Sequence, residues 1–197
     1  MLYGEKIVGV GCRRLGVDGM GYVAGIIDSC GSVRNNRVRV NCPPHVLAKV
    51  VRILDSYTIP YTLDLPYLTI SQEEGLILLY GCTPLVCSTK KATLKRMVER
   101  ICTGGLEPYL LPTVDDEGWL QGVMAMRGTN ILTGKNEWYS ITHTDTDLVK
   151  YLGQTLTKMG IDYNLYTVER VGRRTLYNIR VYKISGIKRL LELSTTA

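Results

Sequence analysis

The sequence predicts an α+β fold built from two similar halves. Hydrophobic spacing switches repeatedly between the helical and the strand period. The order helix, hairpin, helix, hairpin, helix can be read twice. Each copy opens on a helical segment closed by a glycine, Gly31 and Gly118, about half a chain apart. With 197 residues, 45% of them apolar, the chain can bury one large core or two small ones.

In the first half, Met20 to Asp28 reads as a helix, with Gly31 as its C-terminal glycine. Ser32-Val33-Arg34 and Arg37 to Asn41 form a hairpin turned by Asn35-Asn36, since asparagine tolerates the positive φ of a tight turn. A helix from Pro43 to Ser56 carries Val46, Leu47, Val50, Val51 and Leu54 at helical spacing. Two strands are expected within Tyr61–Ile70 and Leu76–Tyr80, around the turn Gln72-Glu73-Glu74-Gly75. A helix from Thr89 to Cys102 sets Leu94, Met97, Val98 and Ile101 against a basic face with Lys90, Lys91, Lys95, Arg96 and Arg100, which reads as solvated, with phosphate contact as the alternative. Residues 1–17 form an N-terminal arm, 18–102 the first half, 103–105 (Thr103-Gly104-Gly105) a joint, and 106–197 the second half. There, strands are expected at Trp119–Arg127 and Glu137–Thr142, then a helix from Thr146 to Met159 ending at Gly160. A hairpin of Tyr163–Val171 and Thr175–Tyr182 follows, turned by Gly172-Arg173-Arg174, and a helix covers Ile187 to Leu193.

Composition narrows the chemistry. A net charge of +6 is compatible with a phosphate-bearing partner. The two histidines, His45 and His143, leave little for a histidine-rich nuclease motif, and neither lies in a nucleophile motif. The six cysteines form no C-x-x-C pair, which argues against zinc; they read mostly as small buried side chains in a reducing compartment. No apolar run is long enough to span a bilayer and no secretory signal is visible, so an intracellular location is expected: cytoplasmic, nucleoid-associated or organellar.

Tyr22-Val23-Ala24-Gly25-Ile26-Ile27-Asp28-Ser29-Cys30-Gly31 resembles the LAGLIDADG motif of homing endonucleases. A weaker copy is read at Leu110-Leu111-Pro112-Thr113-Val114-Asp115-Asp116-Glu117-Gly118. The resemblance implies a monomer of two pseudo-symmetric αββαββα halves whose strands form a saddle. It implies that the motif helices pack side by side through Ala24 and Gly25, and that an acid near each helix end holds Mg²⁺ or Mn²⁺ at a scissile phosphate. Glu117 takes that catalytic and metal-binding place in the second copy, and Lys183 that of a supporting base. In the first copy Cys30 replaces the acid, and Leu78-Leu79-Tyr80-Gly81-Cys82 offers no cation. A thiol is soft and mostly protonated, unsuited to magnesium.

On that scaffold, strand alternation turns Arg34, Arg37, Arg39 and Asn41 toward DNA and Val33, Val38 and Val40 inward. In the second half it exposes Gln121, Arg127, Ser140, Thr142, Asn178 and Arg180. The function implied is site-specific binding of double-stranded DNA, with metal-dependent cleavage impaired at Cys30. The alternatives are an active intron- or intein-type endonuclease or nickase, and a non-cleaving intron-RNA maturase or transcription regulator.

Overall fold

A computed structural model describes residues 19–102, 114–133, 136–169 and 171–195. The N-terminal arm, the joint at Thr103-Gly104-Gly105 and Leu110 to Thr113 lie outside these residues. The described elements run α1 (Met20–Cys30), β1 (Ser32–Arg34), β2 (Arg37–Asn41), α2 (Pro44–Ser56), β3 (Thr62–Asp64), β4 (Tyr67–Ile70), α3 (Glu73–Cys82) and α4 (Ser88–Ile101). They continue with α5 (Asp116–Arg127), β5 (Gly128–Thr133), β6 (Asn136–His143), α6 (Thr146–Lys158), β7 (Asn164–Val168), β8 (Leu176–Val181) and α7 (Ile184–Thr195). Two four-stranded antiparallel sheets result, ordered β1-β2-β4-β3 and β5-β6-β8-β7. The repeat is αββαββα, and α4 is an extra helix at the end of the first half.

The repeat comes from local rules that hold in both copies. Asn35 and Asn36 both adopt positive φ, 53° and 52°, as a two-residue hairpin turn requires. Pro43 precedes α2, and Asp145 caps α6 by accepting from the Leu148 amide. Val46, Leu47, Val50 and Leu54 of α2 match Leu148, Val149, Leu152 and Leu156 of α6, and all eight are buried. Beneath α2 lie Val38, Val40, Leu68 and Ile70, the inward residues of alternating strands; Ile141, Ile179 and Val181 do the same in the second half.

Two expected strands are helices. Leu76–Tyr80 lies in α3, and the second hairpin of that half closes earlier, between β3 and β4. Glu73 and Glu74 sit in the first turn of α3, where the helix dipole favours negative charge. Trp119–Arg127 is likewise not a strand but most of α5. Its buried Trp119, Leu120, Val123 and Met124 recur at helical spacing.

Helices α1 and α5 pack side by side at the centre. A Cβ on Gly25 would sit 2.2 Å from the Trp119 carbonyl oxygen, and a Cβ on Gly122 would sit 2.2 Å from that of Tyr22. This reciprocity is a local twofold: Tyr22 pairs with Trp119, Gly25 with Gly122, and Gly31 with Gly128. The close packing expected at Gly25 is present, and Ala24 is buried beside it.

Candidate nucleic-acid interface and the centre between the helix ends

The twofold corrects the second motif. Its helix is α5, so the segment equivalent to Val23–Gly31 is Leu120–Gly128. Arg127, not Glu117, faces the position of Cys30. Glu117 is exposed in the first turn of α5, ten residues and about 15 Å along the axis from Arg127. The two helix ends therefore bring together a thiol and a guanidinium, and Glu117 stands at the other end of its helix. Gln121 and Arg127, expected on a strand, are on this helix. Lys183 pairs with Asp162, both exposed. The pairing of Tyr139 with Val181 and of His143 with Tyr177 puts Lys183 at the end of the sheet away from His143. Its first-half counterpart after β4 is Gln72, so that half still lacks a cation there.

The last carbonyls of α1 are closed by side chains. Ile26 O accepts from Ser29 Oγ (3.1 Å) and Cys30 Sγ (3.2 Å). Lys90 Nζ donates to Ile27 O (2.7 Å) and Asp28 O (2.6 Å). Ser29 O accepts from Arg127 Nη2 (3.0 Å) and Nε (3.3 Å) and bonds His143 Nε2 (3.0 Å). A helix C-terminus carries partial negative charge, so these groups offset it. Lys90 was expected to be solvated. It lies four residues before Leu94, on the inner stripe of α4, and that spacing was the signal for its position. Gly31 ends α1 as expected, with an extended backbone, and a Cβ there would meet the Ile27 backbone at 2.8 Å.

Beneath this cap Asp28 is fully buried. Its carboxylate accepts from the Val86 amide (2.8 Å), the Cys87 amide (3.1 Å) and Trp119 Nε1 (3.0 Å). Burial pushes its pKa up, against those three donors and the Lys90 charge. Burial also raises the Cys30 thiol, against the pull of Lys90 and Arg127, which suits a protonated sulfur donating to Ile26 O. Cys87 Sγ donates to Asp145 (3.3 Å). Cys42 and Cys87 are buried and free, as expected for most cysteines, but Cys82 takes part in a disulfide.

The donor set does not fit a divalent metal. Magnesium wants carboxylate oxygens, and the helix ends present a protonated thiol and three nitrogen groups, while the Asp28 oxygens are committed to amide and indole donors. Among the described residues no group of three or more His, Cys, Asp or Glu is placed to hold a metal ion.

His143 couples this centre to pH. Its Nδ1 accepts from the Asp145 amide (3.0 Å), so Nε2 carries the proton given to Ser29 O. Burial lowers its pKa, and Arg127 and Lys90 add to that, against Ser29 and Asp145. In the unfolded chain histidine protonates near 6.5. As pH falls below about 6.5, the unfolded state takes up a proton that the folded state refuses until lower pH, and stability drops. Urea unfolding from about pH 7.5 to about pH 5 should show the wild type losing stability relative to His143→Gln. Parallel curves would refute it.

On the outer face of the first sheet, Arg34, Arg37 and Asn41 are exposed, and Arg39 is half-buried with its guanidinium 3.6 Å from the Tyr67 ring centroid. Val38 and Val40 point inward, as alternation demands. In the second sheet Thr142, Asn178 and Arg180 lie on the outer face, while Ser140 is buried there and donates to Asn178 (2.9 Å).

No family model and no curated protein matches the sequence. Solved structures do match the fold. The N-terminal LAGLIDADG domain of DUF199/WhiA superposes with a TM-score of 0.57 at 12% identity, over 96% of this chain and 86% of that one. Full-length DUF199/WhiA from Thermatoga maritima gives 0.57 at 10% identity, over 95% of this chain and 58% of that one. A variant of I-DmoI bound to nicked target DNA in the presence of manganese gives 0.55 at 14% identity, over 91% and 97%. The central Gly25–Gly122 helix pair, the two four-stranded sheets and these superpositions establish that the chain has the LAGLIDADG homing-endonuclease fold.

Proposed function

We propose that this protein binds a specific double-stranded DNA site as a monomer and does not cut it. The observation that carries the reading is the pair of residues at the helix ends. Where the resemblance calls for two acids with metal ions, the chain holds Cys30 and Arg127, with His143 on the Ser29 carbonyl that Arg127 bonds and Lys90 on the neighbouring carbonyls of Ile27 and Asp28. Protein cations stand where metal cations would, so the centre attracts a backbone phosphate but activates no water. Arg34, Arg37, Arg39 and Asn41 on the first sheet supply phosphate and base contacts, as do Thr142, Asn178 and Arg180 on the second. A variant of I-DmoI, which shares this fold, is seen in complex with its nicked target DNA, and that supports a DNA partner here.

Selection from a randomised duplex library, with Mg²⁺ or with chelator, tests this directly. Specific binding of equal strength in both conditions, with intact strands, is the expected result. Cys30→Asp should still leave both strands intact, because Arg127 occupies the partner position. Metal-dependent breaks in the wild type would make the protein an endonuclease or nickase. Enrichment of structured RNA over duplex DNA would make it a maturase-like binder.

A further inference from the structure

The outer faces of the two sheets differ in chemistry. The first is cationic, and its aromatic ring, Tyr67, is covered by Arg39. The second gathers Trp138, Tyr166 and Tyr182 around one cation, Arg180. The guanidinium lies 4.7 Å from the Tyr166 ring centroid and 5.7 Å from that of Trp138. Arg180 Nη1 donates to Tyr182 Oη (3.4 Å), which donates to Tyr166 Oη (3.1 Å). The Trp138 and Tyr182 centroids are 6.2 Å apart. Tyr166 and Tyr182 are each 40% exposed. Trp138 Nε1 and Arg180 Nε are withdrawn from solvent without a partner among the described residues.

We propose that this cluster is a stacking platform for nucleobases presented outside a paired helix. The rings of the second sheet would take unpaired bases of the same nucleic acid, next to the duplex part that the first sheet and Thr142 and Asn178 of the second sheet contact, with Arg180 serving both. The proposal rests on the nucleic-acid reading above and deepens it.

A paired duplex offers its grooves only base edges, which are read by hydrogen-bonding side chains such as arginine and asparagine. The first sheet presents those types. Ring faces instead bind base faces, which become available only when a base leaves the stack. An arginine plane among the rings adds a cationic surface for the base or its phosphate. Among the described residues Arg180 has no acidic partner, and the chain carries a net charge of +6, so the patch suits a polyanion better than an acid-paired protein interface.

The test uses the duplex recovered by selection, the same duplex with an unpaired bulge or tail in either half-site, and matching single strands, in DNA and RNA. Trp119 is fully buried and Trp138 is not, so a fluorescence change that Trp138→Leu abolishes reports on the platform. Unpaired bases in the second half-site should tighten binding roughly tenfold per stacked base and quench Trp138. The sugar that gives the larger gain identifies the source as DNA or RNA. Trp138→Leu with Tyr166→Leu should lose the gain and keep duplex affinity. Tyr166→Ser alone, at an exposed ring, should lose part of it. Arg34→Ala with Arg37→Ala should weaken duplex binding and keep the gain. Duplex binding with no preference for unpaired bases would overturn this proposal alone. Failure to bind any nucleic acid would overturn it together with the duplex reading. A dimer in solution that the double aromatic variant dissolves would also overturn it, because a second copy would then cover the patch.

Discussion

A Gly122→Val variant is expected to lose at least about 3 kcal/mol of folding stability. The first added atom would lie 2.2 Å from Tyr22 O, 3.0 Å from Ile26 N and 3.1 Å from Gly25 Cα. All three are backbone atoms, so no side chain can rotate aside, and α1 and α5 must separate. Separation would open gaps along a seam where Ala24, Ile26, Trp119 and Val123 are fully buried. Gly160→Ala is the control. Gly160 has a φ of 69° with nothing near its Cβ position, so its cost is confined to backbone strain of about 1 kcal/mol. Urea midpoints of the two variants make the comparison. Equal losses would mean that the central helix pair is not as close as described.

Asp28→Ala carries the second large effect, a loss of about 3–5 kcal/mol. The carboxylate satisfies two amides and the Trp119 indole in a fully buried site, and it also lies close to the half-buried Lys90 ammonium. Removing it orphans three donors and weakens the electrostatic support of Lys90. Asp28→Asn keeps the volume but turns an amide NH₂ toward groups that are themselves donors, so it should cost less than alanine and still destabilise. Equilibrium unfolding at neutral pH measures both. Retention of wild-type stability by Asp28→Ala would show that these hydrogen bonds add nothing beyond what water supplies in the unfolded chain. The indole bond joins the two halves, so the same variant should also loosen the alignment of the helix ends and weaken DNA binding.

Most elements were legible because their signals are local. Asn35-Asn36 sets its own turn, Gly160 ends its own helix, and the stripe Val46, Leu47, Val50, Leu54 needs no distant information. The second motif helix is misplaced in the sequence because Glu117-Gly118 mimics the acidic end of the motif. A better signal was present. Gly21 and Gly25 lie four residues apart on one helix, and Gly118 and Gly122 lie four apart on the other. Small residues at that spacing permit backbone contact, whereas the acid is a replaceable surface group. Leu76–Tyr80 was misread for a different reason. A short, wholly apolar run has no period to distinguish strand from helix, and the two glutamates before it were the better guide.

By itself the sequence determined the α+β repeat, the first motif helix, the first hairpin and the arginines that alternation turns outward, because each depends on neighbours a few residues away. Only the tertiary structure decided what stands at the helix ends. Lys90, Arg127 and His143 reach the α1 carbonyls across 62 to 114 residues of chain. No local period encodes such a meeting; it is fixed when two glycines let the helices touch and the sheets are carried into place around them.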